Sequence, residues 1–373
     1  VALLVAQANS SLNVKINSKH SLNIANCPTN FSIVSFSSLE ELLLKSSENQ
    51  IIVSPVNYLI KIKRQLLEEN KNRIVPWIHH PFNKSLLQLE VKFPFAVAVG
   101  TYQYYSNLQL SSSKLIHIQN PYNNIPFHNP KNTKSYKYLG KETKAVYLGS
   151  LIPGKGFHLI AQQWSQISQR FPNLTLRVIG SSSTYGNEPT HSLLPCDKKY
   201  GDKIMESIPK SDIEKGRIQF LGNLGLEKID IFHESDVALL NPTGNTEAFP
   251  ASPLECMAAG LPVIASNDYG MGDSMRFFPD LALSKHQYIV DSLEHLFQDS
   301  EIYNYYYQQA LSVSHWFANQ TQANILRWIE LFNALFENRD YRLSPKPLLS
   351  FYGSKPKLAW RASKVYLKQL LGR

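Results

Sequence analysis

The sequence predicts an α/β protein built from two doubly wound, parallel-sheet domains. Three observations lead there. The chain has 373 residues, long for one core and comfortable for two. Apolar runs of strand length alternate with helical segments along both halves. A polar stretch, 128–144, containing His128-Asn-Pro-Lys-Asn-Thr-Lys134, reads as the link between them.

In the first half, Val1 to Ala8 reads as a buried strand, with a signal-peptide remnant as the alternative; it lacks a basic flank. Further strands are expected at Phe31–Phe36, Ile51–Ser54, Ile74–Ile78, Ala96–Val99 and Leu115–Ile118. Helices are expected at Leu39–Ser46 and Tyr58–Asn70. His79-His80-Pro81 lies at the C-terminal end of one strand.

The second half repeats the rhythm more clearly. Strands are expected at Lys144–Leu148, Leu174–Ile179, Arg217–Leu221, Val237–Leu240 and Pro262–Ala265. Helices fall at Gly156–Arg170, Leu226–Glu234 and Ser252–Gly260, the last closed by its glycine. Ligands of such sheets bind beyond the C-terminal ends of the strands. The expected domains are 1–142, 143–325 and a helical segment with a basic tail, 326–373.

Composition excludes several classes. Hydrophobic residues make up 43% and charged residues 18%, a globular balance. No apolar run reaches the ~18 residues of a membrane-spanning helix. Cys27, Cys196 and Cys256 are too scattered for a zinc site or a disulfide framework, so a reducing cytoplasm is expected. The net charge of +9 suits an anionic partner, but its distribution decides which. After Asp340 there is no acidic residue, while Arg342, Lys346, Lys355, Lys357, Arg361, Lys364, Lys368 and Arg373 follow. Terminal charge without a recognised module argues against nucleic acid. From Lys355 the tail reads as a basic amphipathic helix, either lying on an anionic membrane surface or packed across the domain junction.

Two segments carry chemistry. Gly149-Ser-Leu-Ile-Pro-Gly154-Lys155-Gly156 follows a strand and opens a helix. It approaches the phosphate-loop pattern, but Gly156 replaces the hydroxyl residue that would hold magnesium. Close backbone approach, a helix N-terminus and the Lys155 charge still suit an anion, with a solvated turn as the structural alternative. The second segment, Glu247-Ala-Phe-Pro-Ala-Ser-Pro-Leu-Glu255, places two carboxylates in and after a polar loop, Asn241 to Thr246. Ser252-Pro253-Leu254-Glu255 reads as a capping box, Ser at the N-cap and Glu at N3. Glu255 therefore has two readings, cap or ligand for ribose hydroxyls. Glu247 has no capping role and suits sugar hydroxyls.

The order and spacing of these blocks resemble the C-terminal domain of the retaining GT-B glycosyltransferases of family 4 (glycosyl transferases group 1). The resemblance runs from Val146 to Asp268: Tyr147-Leu-Gly-Ser-Leu with Gly154-Lys-Gly, Leu176-Arg-Val-Ile-Gly180, Ile218-Gln-Phe-Leu-Gly222, Ser235-Asp-Val-Ala-Leu239, and Glu247 through Glu255 into Cys256–Ala265. The first half is similar only in strand order, in Trp77-Ile-His79 and in Ile118-Gln-Asn120.

The resemblance implies two Rossmann-like domains facing a cleft and a nucleotide-diphosphate sugar as substrate, with no cofactor and no metal. Lys155 would neutralise the donor diphosphate. Glu255 would hold the ribose. Glu247 would contact the transferred sugar, and His79, with His80 as its competitor, would face that sugar. Gly149, Ser150, Leu221, Gly222, Ala248, Phe249, Pro250, Ala251 and Ser252 complete the implied donor site. The acceptor would be a hydroxyl of a glycan or glycolipid, its proton passing to the departing diphosphate on the same face of the sugar, with the protein in the cytoplasm or peripheral on the membrane. Two positions depart from the family: Ser150 stands where an arginine is usual, and Pro250 removes a backbone donor in the usual Gly-Phe-Gly. They leave a second reading, a catalytically silent GT-B protein acting as a binding partner.

Overall fold

The structure is a computed structural model that describes residues 14–17, 31–34, 37–47, 50–79, 91–107, 113–127, 142–185, 188–284 and 288–343. The expectations for Val1–Ala8, for His80, for most of 128–144 and for the tail from Lys355 lie outside those residues.

The chain folds as two compact units, one formed by 1–122 together with 319–373, the other by 123–318. In the first unit, β1 (Val14–Asn17) and β2 (Phe31–Val34) pair in parallel. A four-stranded parallel sheet follows, in the order β3 (Ile52–Pro55), β4 (Ile74–Ile78), β5 (Phe95–Ala98) and β6 (Lys114–His117). Pro76 lies within β4 but ahead of its pairing with β5, which begins at Trp77↔Val97, so its missing N–H interrupts no ladder there.

The helix expected over Tyr58–Asn70 is instead two, Val56–Leu59 and Arg64–Asn70. Between them Lys63 is non-helical, with ψ 133°, and each piece packs its own leucine, Leu59 at 0% and Leu67 at 1% exposure.

A long helix, Ser300–Phe336, starts in the second unit and ends in the first. Its later residues Ile325, Trp328, Leu331 and Ala334 share a buried cluster with Val75, Phe95, Val97, Ile116 and Ile118. The chain beyond it returns to the sheet, where the His117 N–H donates to the Leu343 carbonyl at 3.0 Å. The part of the expected 326–373 helical segment that is described, as far as Leu343, packs on the first sheet through this apolar stripe.

The second unit holds six parallel strands in the order β12-β11-β10-β7-β8-β9. They are β7 (Thr143–Leu148), β8 (Leu174–Ile179), β9 (Ile218–Gly222), β10 (Val237–Leu239), β11 (Val263–Ser266) and β12 (Ala282–Leu283). The helix Phe157–Arg170 buries Phe157, Ile160, Ala161, Trp164 and Ile167, the i, i+3, i+4, i+7 stripe of a surface helix. The chain runs outward from β7 through β8 to β9, then returns to β10 on the other side of β7. The switch point is therefore between β7 and β10, and the loops leaving these two strands meet there.

Candidate functional site

The first loop, 149–156, is drawn tight against its neighbours. The Gly149 N–H donates to the Ile179 carbonyl at 3.0 Å. Gly180 has φ +137°, and a Cβ there would lie 2.0 Å from the Gly149 oxygen, so only glycine allows the ends of β7 and β8 to approach this closely. Leu151 is fully buried and anchors the loop, while Ser150 is half-buried. A 3₁₀ turn, Pro153–Lys155, follows, and Gly156 at φ +71° enters the helix. The Tyr147 hydroxyl donates to the Lys155 carbonyl at 3.2 Å. Lys155 is thereby fixed by its backbone at the C-terminal end of the central strand.

The second loop, 240–251, is organised by Asn241. Its Oδ1 accepts from the N–H groups of Thr243 and Gly244, both at 3.1 Å, and from the Thr243 hydroxyl at 2.8 Å. Its Nδ2 donates to the Asn245 carbonyl at 2.9 Å and to Glu247 Oε1 at 3.1 Å. Thr246 is held at φ +67°, a conformation that a β-branched residue rarely adopts and that costs on the order of 1–3 kcal/mol. The strain sits next to Glu247, whose carbonyl accepts from the Gly270 N–H at 3.1 Å.

These two loops bring Lys155 and Glu247 together. Lys155 Nζ lies 2.7 Å from Glu247 Oε1, and Glu247 is only 6% exposed. The expectation that nothing competes for Glu247 is corrected here, because its carboxylate is the counter-charge of Lys155. A buried ion pair of this kind contributes little net stability but is costly to break from one side.

Glu255 also differs from its sequence reading. The helix Ser252–Ala258 has Ala251 at its N-cap, in helical conformation, and no side-chain cap. Ser252 is the first helical residue, Pro253 the second, and Glu255 the fourth, so no capping box forms. Pro253 requires only that the helix start ahead of it, and it starts one residue earlier than the box needs. Glu255 Oε2 instead meets Lys228 Nζ at 2.8 Å. Next to it, Cys256 is fully buried, and burial pushes its thiol well above its ordinary pKa.

The other expected donor residues fall as follows. Leu221 and Gly222 end β9, with Gly222 at φ +68°. Ala248 is buried, Phe249 packs on Phe317 with ring centroids 5.7 Å apart, Pro250 is half-buried and Ala251 is exposed. His79 immediately follows β4 in the first unit, T-shaped against Trp77 at 3.9 Å. Among the described residues no group of three His, Cys, Asp or Glu side chains could hold a metal ion, and no helix is long and apolar enough to cross a membrane.

Sequence reasoning missed Asn241 and Lys228. Asn241 carried a signal: Asn-Pro-Thr-Gly directly after a strand is turn chemistry that ties the side chain to the backbone ahead of it. Lys228 carried none, because its partner is set by packing. Replacing Asn241 with alanine is expected to lower the stability of the second unit by about 2 kcal/mol, since a buried N–H, that of Gly244, and a part-buried one, that of Thr243, lose their acceptor. An unchanged urea midpoint would count against this loop geometry.

Residues 129–310 match the family model described as Glycosyl transferases group 1. The chain is 23% identical over 237 residues to the lipopolysaccharide 1,2-N-acetylglucosaminetransferase of Salmonella typhimurium, covering 61% of this chain and 57% of that protein. It is 25% identical over 233 residues to an uncharacterised glycosyltransferase of Haemophilus influenzae, covering 61% of this chain and 60% of that one. The matches thus span less than two thirds of either relative. Among solved structures, HepE of Anabaena in complex with UDP superposes with a TM-score of 0.62 at 12% identity, over 83% of this chain and 86% of that one. The likeness shows the fold, two Rossmann-like parallel-sheet domains of the GT-B kind.

Proposed function

We propose that this protein is a retaining, metal-independent hexosyltransferase of glycosyltransferase family 4. It moves a sugar from a nucleoside-diphosphate donor to a hydroxyl of a glycan or glycolipid. The observation that carries this reading is the buried Lys155–Glu247 pair at the switch point of the second sheet, where such folds bind their ligands.

The chemistry needs charge stabilisation on the departing diphosphate. Lys155 supplies it, and Ser150 beside Gly149 adds a neutral donor where the family has a guanidinium. Glu247 holds Lys155 in the free protein and accepts hydroxyls of the transferred sugar once the diphosphate shares the lysine. The backbone from Ala248 to Ser252 lines the sugar and phosphates, with Pro250 contributing no N–H. Glu255 accepts from the ribose, and Leu221 and Gly222 border the nucleoside. In the transfer step the bond from the anomeric carbon to the phosphate oxygen breaks and the bond to the acceptor oxygen forms. The acceptor proton passes to a diphosphate oxygen on the same face. The eight basic residues after Asp340 suit an acceptor presented at an anionic membrane surface, on the cytoplasmic side.

The test is nucleotide release from UDP-, GDP- and ADP-sugars with glycan and glycolipid acceptors, in the presence of EDTA. Expected is release from one donor class and a product with the donor's anomeric configuration. No release and no thermal shift with any of the three would sink the proposal.

A further inference from the structure

The carboxylate of Glu255 is held by a single described cation. Lys228 opens the helix Lys228–Glu234, immediately after the loop that leaves β9. Its ammonium lies 2.8 Å from Glu255 Oε2, and both side chains are only 18% exposed. The same ammonium sits 5.5 Å from the centre of the Phe127 ring. Phe127 is itself fixed, since His233 Nε2, on the helix that Lys228 begins, lies 2.9 Å from its carbonyl. An aromatic face, a carboxylate and a helix start therefore hold this lysine in one place. Without the capping box, nothing in Glu255's own helix sets the direction of its carboxylate.

We infer that Lys228 is a positioning residue for nucleoside recognition. It holds Oε2 of Glu255, so that Oε1 is presented to the two ribose hydroxyls of a nucleoside diphosphate. The inference rests on the assignment of Glu255 to the ribose in the proposed function. A lysine with a merely structural role would stabilise the fold without affecting the preference for ribose. A lysine that aims the carboxylate governs how strongly the protein distinguishes ribose from its dideoxy form.

The experiment compares UDP with 2′,3′-dideoxy-UDP by calorimetry, with GDP and ADP and their dideoxy forms as parallel arms. Wild type, Lys228→Met and Lys228→Arg are measured. Methionine keeps the contact with Phe127 and removes the charge; arginine keeps the charge. In the wild type, loss of hydroxyls bonded to a carboxylate is expected to weaken binding about tenfold or more. In Lys228→Met that ratio falls to about threefold or below, through weaker binding of the ribonucleotide, while the dideoxy form binds as in the wild type. Lys228→Arg retains the wild-type ratio. An undiminished ratio in Lys228→Met overturns the inference and leaves the donor site standing. Wild-type protein that binds none of the three nucleotides overturns the proposed function itself.

Discussion

Replacing Lys155 with alanine is expected to lower kcat/KM for the nucleotide sugar by about 10²–10³-fold, the cost of removing one preorganised donor from a departing anion. It is also expected to destabilise the second unit by about 3 kcal/mol, because Glu247 would be left buried with Asn241 as its remaining side-chain partner. The two effects have separate origins and come apart in a double variant. Lys155→Met with Glu247→Leu removes both charges and should restore most of the urea midpoint, since apolar residues of similar volume often replace a buried pair without loss. Activity should stay at least as low as in Lys155→Ala. Recovery of turnover together with stability would show that the pair is structural and that the diphosphate is neutralised elsewhere.

Gly270→Ala should be nearly as severe, through sterics alone. A Cβ at this position would lie 2.2 Å from the carbonyl oxygen of Ala248, 2.3 Å from its carbonyl carbon and 2.7 Å from its Cα. All three are backbone atoms of the loop that carries Glu247, and they cannot swing aside as a side chain would. Either the Gly270 N–H to Glu247 carbonyl bond is lost or the loop shifts. The expected cost is about 3 kcal/mol, or roughly 6–12 °C in Tm for a unit of this size, with loss of donor turnover. Gly225→Ala is the control, because the nearest atom there is the flexible end of Glu227 and little change is expected. Equal melting temperatures for the two variants would contradict the close approach of these loops.

The architecture was legible because its signals are local. Runs such as Ile74–Ile78 and Leu174–Ile179 are short, apolar and bounded by turn residues, and each is a strand. The helix Phe157–Arg170 declares itself by the spacing of its apolar residues. Where reading failed, one local pattern allowed two structures and packing chose between them. Tyr58–Asn70 has helical spacing throughout, yet two short helices bury both Leu59 and Leu67. Ser252 and Glu255 have the spacing of a capping box, yet the helix begins one residue early and Lys228 takes the carboxylate.

The site shows the same division. Local sequence identified Lys155 as a cation at a strand-to-helix turn, Glu247 as a loop carboxylate and Glu255 as an acid in a first helical turn, since loop and helix positions follow from nearby residues. It could not join them. Lys155 and Glu247 are 92 positions apart, and they meet because β10 returns to the side of β7 opposite β8. Lys228 and Glu255 are 27 positions apart and lie in the first turns of two different helices. Side-chain partners across loops depend on strand order, which is a property of the whole sheet and is written in no single segment. The sequence by itself determined the parallel α/β elements and the residue types at their ends; the tertiary structure decided which charge faces which.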